Sequence, residues 1–224
     1  MELTQAINAR RSIRAFTSQT VSKDLLAEIL NLACRAPSAM NTQPWEFMVI
    51  SGEKLNQIRA TIVQKLHNQE PIHPEHPVVG WPRDSVYRER QVALAKQLFK
   101  VMDITREDTV KRAAWLERGF RFFDAPATII LLTDRTLSEH GPLLDVGVVM
   151  QNICLAAVDR GLGTCIEDQG VLYPSVLREM AGIPDAKRII ISIAIGYPDP
   201  DFPANQVCSE RAPAETITSW VGLS

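Results

Sequence analysis

Two segments of this 224-residue chain, Ala127–Thr133 and Arg188–Tyr197, are apolar almost without alternation, the second carrying a run of isoleucines. A strand that is hydrophobic at successive positions has both faces buried. Glu46–Ser51, rich in strand formers and closed by Gly52, supplies a third such segment, fed directly by Trp45, which is expected in the core. A sheet buried on both faces requires helices on both sides, and the rest of the chain has to provide them.

The helical pattern is there. Leu3, Ala6 and Ile7 share one face of a first helix that ends near Arg10. Ser22 is placed to cap a second, with Asp24 in its first turn and Leu25, Ile29, Leu32 and Ala36 at helical spacing until Pro37 stops it. Leu55, Ile58, Ile62 and Leu66 mark a third, followed by a Pro- and His-rich surface loop through Pro82. Val86 to Met102 and Glu107 to Phe120 complete a helical insertion at about 68–120. Leu143 to Asp159 is the most apolar helix, closes at Gly161, and is expected at the centre of the fold or of a subunit interface. After Gly196 a Pro-rich tail at about 198–224 leads to a short helix with Ile217 and Trp220, too apolar to stand free.

With 46% apolar residues, one domain spanning 1–224 and a full core are expected. Lys plus Arg number 24 against 26 Asp plus Glu, which leaves no basic field for nucleic acid or an anionic membrane, so any anion must be bound locally. The N-terminus has no signal-like apolar region and the apolar helix is broken by Asp145, Gln151 and Asn152, so a cytoplasmic protein is expected. Cys34, Cys154, Cys165 and Cys208 form no C-x-x-C and read as reduced core thiols. His67, His73 and His76 with Glu70 and Glu75 match no ordinary zinc spacing, so no metal is expected.

Candidate chemistry gathers in two places. Ala36-Pro37-Ser38-Ala39-Met40-Asn41-Thr42-Gln43-Pro44-Trp45 runs between helix and strand, its prolines holding the backbone extended while Ser38, Asn41 and Gln43 offer hydrogen bonds suited to a flat polar heterocycle; a plain surface turn has the same composition. Upstream, Arg10-Arg11-Ser12-Ile13-Arg14 offers three guanidinium groups and a hydroxyl, a set that fits a phosphate, although a short basic run also makes an ordinary solvated face. No G-x-S-x-G, Walker loop or G-x-G-x-x-G follows an expected strand, which removes the common hydrolase, nucleotide-hydrolase and dinucleotide-fold readings.

Arg-Arg-Ser-Ile-Arg-x-Phe followed by Ala-Pro-Ser-x-x-Asn-x-Gln-Pro-Trp closely resembles the opening of the nitroreductase family of flavin mononucleotide (FMN) enzymes. Gly161-Leu162-Gly163-Thr164 and Asn205…Arg211-x-Pro213 resemble further landmarks, so the likeness spans nearly the whole chain. It implies an α+β fold, a three-layer sandwich whose central, mainly antiparallel sheet is flanked by helices, with the C-terminal tail exchanged with the partner subunit of a homodimer. It also implies FMN as cofactor and NADH or NADPH as donor. By position, Arg10, Arg11, Ser12 and Arg211 would contact phosphate and ribityl, and Arg14, the catalytic candidate, the flavin N1–O2 edge. Pro37, Ser38, Ala39, Asn41 and Gln43 would reach the flavin across the dimer interface, and Ile166, Glu167 and Asp168 would lie near N5, with the usual glycine displaced to Gly170.

The insertion and Arg121–Pro126 most resemble the nitrobenzoate and nitroaromatic reductase branch, which implies ping-pong reduction of nitroaromatic compounds at sites shared by two chains. Trp81 and Tyr87 are the candidate substrate wall, while Phe122 or Phe123 is expected in the core. A reductase of quinones, enones or halogenated aromatics, or a non-catalytic flavin-binding protein, would use the same cofactor contacts.

Overall fold

A computed structural model of the chain describes residues 1–77 and 80–223. Four strands form one antiparallel sheet: β1 (Glu46–Ser51), β2 (Ala127–Asp134), β3 (Gly163–Glu167) and β4 (Lys187–Gly196), in the order β1-β2-β4-β3. The two unbroken apolar segments are the central pair, as double-sided burial requires. Along β2, Ile130 and Leu132 enter one core while Ile129 and Leu131 enter the other. The register of β2 against β4 shifts between Leu131 and Leu132, leaving Ile190 as an extra residue, so that the neighbours Ile190 and Ile191 serve the same core and Ile189 the other.

One face is covered by α3 (Gly52–His67), α5 (Thr109–Phe120) and α7 (Pro174–Ala181); the other by α2 (Lys23–Ala33) and α6 (Leu143–Asp159). The molecule is therefore the α+β three-layer sandwich expected. Helix α1 (Leu3–Ala9) packs on α6, and α4 (Val86–Val101) precedes α5 between α3 and β2. The expected loop through Pro82 includes Val78 and Val79, which lie outside the described residues.

Several local expectations shift. The Ser22 hydroxyl does cap α2, accepting from the Leu25 N–H at 3.2 Å, but the helix ends at Ala33 and buries Leu26, Ile29 and Ala33, leaving Leu32 exposed. The Cys34–Ala36 turn that follows brings Ala36 into the core without helical phase. Cys154 and Cys165 are buried, whereas Cys34, at the end of α2, and Cys208, in the tail, are exposed. Phe122 and Phe123 are both buried. Where the short helix with Ile217 and Trp220 was expected, the tail has a 3-10 turn at Ala214–Thr216, because Ile217, Trp220, Val221 and Leu223 find no core within the chain and stay exposed. Glu75 anchors the His-rich loop by accepting from Arg178, Arg135 and the Ile189 N–H, and His67 pairs with Glu117 at 2.7 Å.

Candidate functional site

The chain leaves α1 at Arg10 with extended backbone and runs as a strap past the outer edge of β3. Ser12 bridges Thr164 in parallel, and the Ile13 N–H donates to the Thr164 carbonyl at 2.9 Å. Gly163 permits this approach, since a Cβ there would lie 2.5 Å from Ile13 Cγ1. Extended backbone alternates its side chains. Ile13 and Ala15 turn inward; Arg10 lies beside the thiol of Cys154, and Ser12 and Arg14 lie beside that of Cys165. Arg11 falls on the other side, lining with Ile13, Leu162 and Pro198 a hollow of about 370 Å³ behind the strap.

Arg14 opens into a cleft of about 350 Å³ whose floor is Cys165 to Gln169 and whose wall is Trp115, Leu116, Phe123 and Leu172. Because Thr164 turns its carbonyl outward to Ile13, Ile166, two residues on, turns its own N–H and C=O to the same open edge, beside Arg14. The cleft thus joins a guanidinium to an unpaired strand edge over an aromatic and aliphatic wall. Such a place suits a flat heterocycle that gains negative charge.

Burial governs titration here. The Cys165 thiol is pushed up to about 12 despite Arg14, so it stays protonated. Glu167 turns inward between the layers, and burial lifts its carboxyl to about 8, opposed by hydrogen bonds from Ser192 and from the Gly170 N–H at 2.8 Å. Asp168 is also raised by burial, opposed by His76.

The loop Pro37–Gln43 lines neither hollow of its own chain. It is nonetheless rigidly built. Met40, Asn41 and Gln43 have φ near 50, 57 and 47°, an unfavourable region for non-glycine residues. Gln43 N–H to Ser38 Oγ at 2.9 Å, Gln43 Nε2 to the Asn41 carbonyl at 3.1 Å and Ala39 N–H to Asp145 Oδ2 at 3.3 Å hold it there. Arg211 lies in the exposed tail, bonded to Ser209. Trp81 and Tyr87 are exposed, pair with ring centroids 6.0 Å apart, and are not among the residues lining the cleft.

The sequence pattern does not single out Leu116 and Leu172 as lining residues. Gly119 was the available signal: Gln169 occupies the space a Cβ there would fill and donates to the Leu116 carbonyl at 3.1 Å, locking α5 to the cleft floor. Among the described residues no group of His, Cys, Asp and Glu is arranged to hold a metal, and no helix is long and apolar enough to cross a membrane.

Residues 7–197 match the family model described as the nitroreductase family. The chain belongs to the nitroreductase family. Within it, the chain is similar to the nitrobenzene nitroreductase of Ectopseudomonas oleovorans, 36% identical over 96% of this chain and 95% of the relative, and to the 4-nitrobenzoate reductase of Pseudomonas putida, 30% identical over 97% and 94%. Its fold is similar to that of the FMN- and NADPH-dependent nitroreductase NfnB from sphigopyxis sp. strain HMH, with a TM-score of 0.93, 28% identity and all of both chains covered. That nitroreductase shares the three-layer arrangement on which the Arg14 cleft is built.

Proposed function

We propose that this chain is an FMN-dependent NAD(P)H oxidoreductase that reduces nitroaromatic compounds by a ping-pong mechanism, as a homodimer with shared sites. One observation carries the reading: Arg14 stands at the open edge of β3 beside Ile166, facing a cleft with a flat apolar wall. The residues fit the cofactor. Arg10 and Arg14 have no carboxylate ion-pair partner among the described residues, unlike Arg160 and Arg178, so their charge is free for an anion. Relatives of the same architecture are FMN- and NADPH-dependent.

FMN held here would supply a two-electron relay between the nicotinamide and the nitro group. Arg10 and Ser12 from the cleft side of the strap, Arg11 from behind it and, in the assembled dimer, Arg211 would hold its phosphate and ribityl chain. Arg14, which lines the cleft, would set fixed positive charge where the reduced cofactor gains negative charge, as an oxyanion hole does. Ile166, Glu167 and Asp168 border the reactive edge from the cleft floor. Pro37, Ser38, Ala39, Asn41 and Gln43 close the site from a second copy, a role supported by the loop's rigid but outward placement. The exposed Ile217, Trp220 and Val221 and the open outer edge of β1 support exchange of the tail between copies.

Trp115 and Leu116 would form the fixed wall against which donor and acceptor stack in turn, and Trp81 and Tyr87, from the 68–120 insertion, would form a wall that moves in over them. The purified protein is expected to release FMN on heating, to run at twice the 25.0 kDa chain mass, and to oxidise NAD(P)H on addition of nitrobenzene with parallel double-reciprocal lines. Absence of flavin after reconstitution rejects the reading as a whole, and intersecting lines reject the ping-pong order.

A further inference from the structure

The side chain of Arg14 makes a single hydrogen bond among the described residues, Nη1 to the Ser12 carbonyl at 3.3 Å, so its direction depends on the peptide that carries it. Both backbone polar groups of Arg14 are held by side chains from distant parts of the chain. The Arg14 N–H donates to Asn205 Oδ1 at 2.7 Å, and the Arg14 carbonyl accepts from Arg118 Nη2 at 2.8 Å.

Asn205 is only 2% exposed and spends all its hydrogen-bonding capacity here. Its Oδ1 also accepts the Ala15 N–H at 3.3 Å, while Nδ2 donates to the Ala15 carbonyl at 2.8 Å and the Asp199 carbonyl at 2.9 Å. With two N–H groups on one side and two carbonyls on the other, only a side-chain amide in this orientation satisfies all four. Arg118 rests its guanidinium over the ring of Phe202, 4.7 Å from the centroid, and Phe202 in turn accepts the Asn205 N–H at 2.9 Å. The two clamps therefore share a base at Phe202–Asn205, and Arg118 ties them to α5, the helix that carries Trp115 and Leu116.

We infer that Asn205 and Arg118 are positioning residues for Arg14, fixing the peptide from which its guanidinium reaches into the cleft. The inference rests on the role proposed above for Arg14, and acts through placement: a displacement of about 1 Å in a reacting constellation can cost on the order of a hundredfold.

The test is a double-mutant cycle on the FMN-reconstituted dimer, reading flavin stoichiometry, the reduction potential of the bound flavin, and the rate of its reduction by NADPH in stopped flow. Arg14→Ala is expected to slow reduction about a hundredfold. Asn205→Ala and Arg118→Lys, the latter keeping the charge but losing the planar fork, are each expected to slow it about tenfold and to make the potential more negative with flavin still bound. In the Arg14→Ala background neither adds a further loss, because each acts through that side chain. Losses that multiply in the double variants, or single variants with unchanged rate and potential, overturn the inference while leaving the role of Arg14 intact. An unchanged rate in Arg14→Ala overturns that role instead. Should Asn205→Ala fail to fold, Asn205→Asp keeps the shape and the Oδ1 contacts but turns the two donations into oxygen facing oxygen. Its reduction rate should then recover toward wild type on acidification, when the introduced carboxyl can donate, and a pH profile parallel to wild type refutes the clamp.

Discussion

Gly170→Ala should loosen both the fold and the cleft floor. Gly170 lies in the 3-10 turn Gln169–Val171 just beyond β3, where a Cβ would stand 2.1 Å from Cε1 and 2.6 Å from Cδ1 of Phe122, and 2.7 Å from Glu167 Oε1. Neither neighbour can give way easily. Phe122 is fully buried in a backbone turn with φ of 53°, and the Glu167 carboxyl is held by Ser192 and by the Gly170 N–H itself. The turn must therefore lift by well over an ångström. Overpacking of this kind costs about 1–3 kcal/mol, and loss of the Gly170 to Glu167 hydrogen bond adds about 1 kcal/mol. The reduced freedom of the unfolded chain returns about 0.5 kcal/mol. A net loss of about 1.5–3.5 kcal/mol corresponds to a Tm roughly 3–14 °C lower in a chain of this size. Urea denaturation of the apoprotein measures the first effect, and quenching of flavin fluorescence on titration measures the weaker cofactor binding that follows from moving Ile166–Asp168. Stability within about 0.5 kcal/mol of wild type would refute the packing argument.

Glu167→Gln should flatten the pH dependence of stability. Burial lifts the Glu167 carboxyl to about 8 from an ordinary 4.5, so at intermediate pH the folded chain keeps a proton that the unfolded chain has released; that stabilisation is complete below the unfolded value and is lost as pH rises through the folded one. Denaturation midpoints measured from about pH 5 to 9 should decline in wild type and decline less in the variant, and equal slopes would count against a buried neutral acid. Gly147→Ala, on α6, meets nothing within 4 Å inside one chain and should raise monomer stability by about 0.5–1 kcal/mol; a weaker dimer in light scattering would locate the second copy against this helix. Glu75→Ala leaves the Ile189 N–H without its acceptor and takes the carboxylate from Arg178, which keeps its carbonyl partners at Ile183, Pro184 and Lys187; it should cost about 2–3 kcal/mol in urea denaturation, whereas a loss near zero would mean that the His-rich loop is not tied down by this carboxylate.

The sheet was legible because Ala127–Thr133 and Arg188–Tyr197 have a composition that only double-sided burial tolerates, and α6 because its apolar run ends in a left-handed glycine, Gly161, at φ of 72°. Helix α7 was not legible. Its eight residues, Pro174–Ala181, are too few to establish a period, and its identity as a helix comes from packing against α3. Strand β3, only five residues long, opens with glycine, so its strand character depends on β4 and on the strap beside it. At the site, the residue types of Arg10, Ser12 and Arg14 announced an anion, but the opposite placement of Arg11 follows from extended alternation, which a reader who places these residues at a helix end cannot foresee. Asn205 stood out in sequence only as part of a motif, since its four partners lie on segments up to 191 residues away.

The position of β4 has a consequence for how the protein is made. It is the last strand of the sheet to be synthesised, yet it lies between β2 and β3. Until residues 187–196 emerge, β2 can pair only with β1, and its other edge, Ile129 to Leu132, offers unpaired backbone flanked by large aliphatic side chains. At translation speeds of about 5–20 residues per second, that edge waits roughly 3–10 s on the ribosome. During that interval a growing chain can add a strand from a neighbour on the same message, the pairing that free sheet edges invite. A chain released before residue 187 therefore keeps an aggregation template in place of a smaller folded core, and passage through the ribosome should depend on the factors that shield nascent apolar segments.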